Sequence, residues 1–172
     1  MKKQLFPAFV GLALVAFTST AAAPKVATAK VEGRSSVALS GEATFTEVKD
    51  GVKLTLTLTG VPAGVHAVHI HEKGDCSAPD ATSAGGHFNP TSVDHGAPTA
   101  DPHHGGDFGN MTVGKNGKGK LTMTSKVLTV AEGANSVVGR AIIIHAKEDD
   151  MKTQPTGNAG GRIGCGVFAL KG

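Results

Sequence analysis

The sequence has no tryptophan and no tyrosine, and only seven phenylalanines in 172 residues. A core made without the two largest aromatics is lean and must rest on Val, Ile, Leu, Ala and phenylalanine. Strong charge of either sign is also absent. Lys and Arg number 17 against 14 Asp and Glu, and without Lys2 and Lys3 the balance is 15 to 14. A nearly neutral product argues against general nucleic-acid binding, so any electrostatic function must come from local placement. No internal repeat and no convincing amphipathic helix is present. What the chain has in quantity is glycine, 24 residues, which with eight prolines favours turns and short strands over helices. The length suits one domain of ordinary size.

The N-terminus reads as a targeting segment. Lys2 and Lys3 form a positive start, residues 5–17 an apolar stretch, and Ser19-Thr20-Ala21-Ala22-Ala23 a small-residue cleavage region. The expected division is a signal peptide over 1–23, with the cut between about Ala21 and Ala29, and one domain over 24–172. The apolar stretch is short for a transmembrane helix, so no stable membrane insertion is expected after its removal, and the product is periplasmic or extracellular. No cysteine lies near the cut, which excludes a lipoprotein anchored through an N-terminal cysteine. The two cysteines, Cys76 and Cys165, are far apart. In an oxidising compartment an intramolecular disulfide is the expected state, with metal thiolates as the alternative.

Residues 25–30 read as a mobile start. Period-two alternation then marks strands over 37–46 and, more cleanly, 52–59, where Val52, Leu54, Leu56 and Leu58 alternate with Lys53 and threonines. Asp50-Gly51 and Asn116-Gly117 are hairpin signals. Residues 60–64 read as a turn leading into a strand that carries His66, His69 and His71, and further strands are expected at 108–113, 119–127, 136–146 and 164–170. Two long segments without periodicity, 73–106 and 148–161, are rich in Gly, Pro, Ser, Asp and His; loops of that length inside a domain are usually functional. About eight strands joined partly by long connections read as an all-β, eight-stranded Greek-key barrel or sandwich with two long functional loops.

The histidines decide the chemistry. In a strand, His69 and His71 point to the same face. His87, His95, His103, His104 and Asp107 follow in the first long loop, and His145 ends the apolar run Ala141-Ile142-Ile143-Ile144. Imidazole-rich sites with a carboxylate suit zinc and copper rather than magnesium or calcium.

Six motifs in order carry a resemblance. They are Gly64-Val65-His66-Ala67-Val68-His69-Ile70-His71, Ser83-Ala84-Gly85-Gly86-His87-Phe88-Asn89-Pro90, Asp94-His95-Gly96, His104-Gly105-Gly106-Asp107-Phe108-Gly109-Asn110, Gly139-Arg140-Ala141-Ile142-Ile143-Ile144-His145, and Gly157-Asn158-Ala159-Gly160-Gly161-Arg162-Ile163-Gly164-Cys165-Gly166. Over roughly residues 30–170 the chain resembles the copper/zinc superoxide dismutases, and the placement of Cys76 is similar to the exported bacterial branch.

The resemblance implies copper on His69, His71, His87 and His145, and zinc on His87, His95, His104 and Asp107, with His87 shared by both metals. It implies that Asp149 links a copper histidine to a zinc histidine, that Arg162 flanks the copper and guides the anion, and that His87 moves a proton. The substrate implied is the superoxide anion, disproportionated to dioxygen and hydrogen peroxide. His66 is expected to be structural and His103 a solvated loop residue. The segment 150–162 is shorter than in familiar eukaryotic enzymes and lacks clear counterparts of their steering residues; Lys147 and Lys152 are candidate substitutes. That branch does not share one dimer geometry, so a homodimer is carried as an expectation without an assigned interface. The competing expectation is a non-catalytic exported copper/zinc-binding or copper-delivery domain.

Overall fold

Alternation of apolar and polar residues fixes which face of each strand meets the core. The computed structural model describes residue 1 and residues 23–172. The expected signal peptide over 1–23 therefore lies almost wholly outside the described residues. Nine strands follow in chain order: β1 (Val26–Gly33), β2 (Ser40–Val48), β3 (Gly51–Thr59), β4 (Gly64–His71), β5 (Asp107–Val113), β6 (Gly119–Ser125), β7 (Ala141–His145), β8 (Arg162–Val167) and the two-residue β9 (Ala169–Leu170). All pair antiparallel, in the order β2-β3-β6-β5-β4-β7-β8-β1, and β1 closes on β2 to make an eight-stranded barrel. β9 adds to β1 through Ala27↔Leu170 and Thr28↔Ala169. β3 pairs with β6 rather than β4, so the connections β3–β4 and β6–β7 cross the barrel ends, which is the Greek-key pattern expected from the sequence. Among the described residues no helix is long and apolar enough to cross a membrane.

Three expectations are corrected, the first being the strand over 164–170, which breaks into β8 and β9 at the buried Phe168. The stretch at 25–30 is not a mobile start: most of it is the first part of β1, in register with β2 from Val26↔Thr46 to Glu32↔Ser40. Its inner face is Ala27, Ala29 and Val31, all buried; alanine gives so small an apolar signal that the alternation does not stand out. The expected strand over 136–146 is only Ala141–His145, because a turn precedes it: Arg140 N–H donates to Val137 O at 3.0 Å. Of the seven phenylalanines expected in the core, Phe6, Phe9 and Phe17 lie outside the described residues. Phe45, Phe108 and Phe168 form its centre, with ring centroids 5.6 and 4.9 Å from that of Phe45, and Phe88 is buried at its margin.

Leu54, Leu56, Val68, Ile70, Ile142 and Ile144 fill the barrel. Each such side chain contributes about 1.5–3 kcal/mol on burial. A second, smaller cluster sits outside the barrel: Ala81, Ala84, Ala141, Ile143 and Cys165. It seats the segment after β4, which the Cys76–Cys165 disulfide also ties down, with Cα atoms 5.9 Å apart. The bond spans 89 residues, so reducing it is expected to lower unfolding free energy by about 4–5 kcal/mol. Denaturant unfolding with and without reductant checks this, and a loss under about 1 kcal/mol would contradict it.

Candidate metal centre

β4 is buried on both faces over its second half. Val68 and Ile70 enter the barrel, so alternation sends His69 and His71 to the outer face. β7 lies beside it, pairing His69↔Ile143 and His71↔Ala141. The ladders slip between Ala67 and His69 on β4–β5 and between Ile144 and His145 on β7–β8. Such irregularities re-aim side chains, and here both fall at histidines of the site. His87 arrives from the long loop through a bridge to His71, held by Phe88 N–H to Ile70 O at 2.8 Å and Gly106 N–H to Phe88 O at 2.8 Å.

His69, His71, His87 and His145 are all buried and come together, as do His87, His95, His104 and Asp107; within each set the potential ligand atoms lie within 4.8 Å of one another. His87 belongs to both.

In the first set, each ring has one nitrogen engaged. His69 Nε2 donates to Asp149 Oδ2 at 2.9 Å, His71 Nδ1 to Gly85 O at 2.9 Å, and His145 Nδ1 to Gly160 O at 3.3 Å. His87 Nδ1 faces Asp107 Oδ1 at 3.0 Å. The opposite nitrogens, His69 Nδ1 and the Nε2 atoms of His71, His87 and His145, are buried without a hydrogen-bond partner. A nitrogen that donates fixes the tautomer and leaves the other with a lone pair. Four lone pairs therefore converge with nothing to accept. Buried polar atoms are rarely left so, and a soft-to-borderline cation such as copper is what four imidazole nitrogens suit.

In the second set, Asp107 Oδ1 lies 3.0 Å from His87 Nδ1, 3.0 Å from His95 Nδ1 and 3.4 Å from His104 Nδ1. His104 Nδ1 and His87 Nδ1 are 3.3 Å apart. These are edge lengths of a tetrahedron whose centre lies about 2.0 Å from each corner, the distance at which zinc holds imidazole nitrogen and carboxylate oxygen. His95 Nδ1 makes no aligned hydrogen bond despite its approach to Asp107. Asp107 Oδ2 faces away and accepts from Gly96 N–H at 3.2 Å and His104 N–H at 2.8 Å, which aims Oδ1 at the imidazoles. The residues present thus fit one copper and one zinc.

Asp149, 3% exposed, spans the two sets: Oδ2 takes His69 Nε2–H and Oδ1 takes His95 Nε2–H, both at 2.9 Å. Its backbone is gripped by the Asn110 carboxamide, which accepts from Asp149 N–H at 2.8 Å and donates to Asp149 O at 2.9 Å. Gly157 packs against it so closely that a Cβ there would lie 1.8 Å from Asp149 Oδ1, at a φ of +66°; only glycine fits. Arg162 opens β8 opposite His145 and donates to Ala81 O at 2.7 Å and Gly85 O at 2.6 Å. Gly85 O also receives His71 Nδ1–H, so one carbonyl ties the guanidinium to the first set. Ser35 Oγ–H donates to Arg162 O at 2.8 Å.

The other two histidines stand apart. His66 is structural as expected: Nδ1 meets His145 O and Nε2 meets Pro62 O, each at 2.9 Å. His103 is half-buried rather than freely solvated, with Nδ1–H donating to His104 O at 2.7 Å. The sequence motifs contained Gly85, Asn110 and Gly157 without giving them a task, and Gln154 had no signal beyond being in a long loop.

Burial pushes three histidines far below their ordinary range: His71 to about 2, His145 to about 3, and His87 to about 4, where hydrogen bonding to Asp107 partly offsets burial. For His95, burial also opposes charge, but hydrogen bonding to Asp149 and the nearby Asp107 charge outweigh it and raise the pKa. Burial likewise works against ionised Asp107, yet hydrogen bonds from His104, His87 and Gly96 hold its carboxyl well below the carboxylate range. Neutral imidazole and ionised carboxylate are the ligand forms.

In protein stripped of metal by a chelator, the unfolded chain takes up protons on these three histidines from about pH 6.5 downward while the folded chain does not. Stability is therefore expected to be full above about pH 6.5 and to fall progressively toward pH 4, with His95 acting in the opposite sense and only partly offsetting it. Denaturant midpoints at pH 7.5 and pH 5 check this; equal midpoints would contradict it.

The fold and site define a class: an all-β barrel with two adjoining four-ligand sets that share one histidine. The sequence model of the copper/zinc superoxide dismutases (SODC) matches residues 39–168. The chain belongs to the copper/zinc superoxide dismutase family. Among solved structures it is similar to a double mutant of a SOD-like protein from Bacillus subtilis, at 36% identity and TM-score 0.74, over 81% of this chain and 94% of that one. A second structure of a SOD-like protein from Bacillus subtilis matches at 33% identity and TM-score 0.74, over 83% and 97%. The clock protein EA4 matches at 34% identity and TM-score 0.78, over 90% of this chain and all of that one.

Proposed function

We propose that residues 24–172 are an exported superoxide dismutase, delivered by a signal peptide over 1–23 and working outside the cytoplasm. The observation that supports this most is the convergence of four unpartnered imidazole nitrogens beside a tetrahedral His/Asp set, joined through His87. His69, His71, His87 and His145 would hold copper, and His87, His95, His104 and Asp107 zinc. Bound copper supplies one-electron redox chemistry between Cu(II) and Cu(I), and zinc supplies charge without redox change.

The chain's own residues do the rest. One superoxide gives up an electron and leaves as dioxygen. A second gains that electron and two protons and leaves as hydrogen peroxide. His87 holds one of these protons at Nε2 and releases it; the other comes from solvent. Asp149 keeps His69 and His95 in the tautomers that present lone pairs to the two sets. Arg162, fixed by Ala81 O and Gly85 O, offers a planar cationic donor group to the small anion.

The second reading, a non-catalytic metal-binding or copper-delivery domain, draws on the similarity to a SOD-like protein and to a clock protein. Superoxide consumption by protein loaded with one copper and one zinc separates the two: turnover supports the dismutase, and metal retention without turnover supports the carrier. In the same assay Arg162→Ala is expected to slow the reaction about tenfold and flatten its dependence on ionic strength, because the local positive potential is gone. An unchanged salt dependence would remove Arg162 from substrate guidance.

A further inference from the structure

His95 sits in a loop, outside every strand, so no ladder holds its backbone. Both of its backbone groups go to one side chain instead. His95 N–H donates to Gln154 Oε1 at 2.8 Å, and Gln154 Nε2–H donates to His95 O at 2.8 Å. A carboxamide offers a donor and an acceptor in one plane. Paired with both groups of a single residue, it fixes that residue's rotation as a neighbouring strand would, and hence the direction of its ring.

The segment bearing Gln154 is itself pinned. Asp150 accepts from Lys152 N–H at 3.0 Å, Thr153 N–H at 2.8 Å and Thr153 Oγ–H at 2.6 Å. Asp150 N–H donates to Gly157 O at 2.9 Å, and Gly157 N–H to Thr153 O at 2.7 Å. The result is a closed turn rooted at Asp149. One short loop thus holds His95 twice: Asp149 at ring Nε2 and Gln154 at the backbone.

We propose that Gln154 is a positioning residue for the second metal set, aiming His95 Nδ1 at the zinc position and holding the zinc through that aim. The inference rests on the zinc assignment above. Gln154 is exposed and touches no metal ligand atom, so its removal leaves the core and the first set intact.

The test uses full-length mature protein with Gln154→Met, which keeps length and bulk but loses both hydrogen bonds, and Gln154→Ala. Zinc affinity is measured by chelator competition, and site geometry by the visible spectrum of cobalt(II) in the second set. Both variants are expected to bind zinc about 10- to 100-fold more weakly, with altered cobalt bands and unchanged copper affinity. Zinc affinity within twofold of wild type, or a loss in Gln154→Ala that Gln154→Met restores, overturns the proposal. Wild-type protein that binds no zinc overturns the zinc assignment as well, so the two failures are distinguishable.

Discussion

A His145→Ala variant is expected to bring superoxide consumption down to that of protein-free buffer while the barrel stays folded. The ring supplies one of four converging nitrogens, and its own anchor, Nδ1 to Gly160 O at 3.3 Å, is long. The backbone of the residue does separate work: His145 O accepts from His66 Nδ1, and alanine keeps that bond. Ile142 and Ile144, the core residues of β7, are untouched. On the proposed assignment copper would be left with three imidazoles, and zinc would keep all four of its candidate ligands. The variant should therefore retain zinc, lose copper affinity and activity together, and unfold at a similar denaturant midpoint once metals are stripped. Activity kept at half the wild-type rate or more would remove His145 from the copper set.

Asp149→Asn is expected to damage one of the two sets, although it changes almost nothing in volume. The carboxylate accepts from two imidazole N–H groups, one at each oxygen. A carboxamide accepts at one end only, and at the other it sets a donor against a donor. One ring must then flip its tautomer, which turns the lone pair meant for metal into an N–H. Metal affinity of that ring's set is expected to drop about 10- to 100-fold, zinc if His95 is the ring that flips and copper if it is His69. Asp149→Ala, which leaves both rings without an acceptor, should be at least as severe. The contrary result is zinc and copper affinities in Asp149→Asn equal to wild type by chelator competition, which would make Asp149 a loop anchor with no hold on the ligands.

Much of the barrel was legible because alternation is strong where leucine and valine face threonine and lysine, as in β3. It failed in β1, whose inner face is mostly alanine, and around Phe168, where the expected strand over 164–170 breaks into β8 and β9. Phe168 is buried and its backbone turns to pair with residues 139 and 140 instead of β1. The candidate ligand histidines were legible because strand parity puts His69 and His71 on one face and because the remaining motifs fall in a specific order. The groups that hold those histidines were not. Gly85 O, Asn110 and Gln154 are 14, 39 and 59 residues from the partners they grip, and their roles come from the barrel bringing loops together, which no local pattern records. Gly157 is the intermediate case: its motif was visible, but the close approach of Asp149 that requires a glycine exists only in three dimensions.

The central claim is that His87 is common to a copper set and a zinc set. Anomalous diffraction from crystals of the loaded protein, collected at the copper and zinc edges, tests it directly. The account predicts a copper peak among His69, His71, His87 and His145 and a zinc peak among His87, His95, His104 and Asp107. A single peak, or a metal bound away from His87, would contradict it.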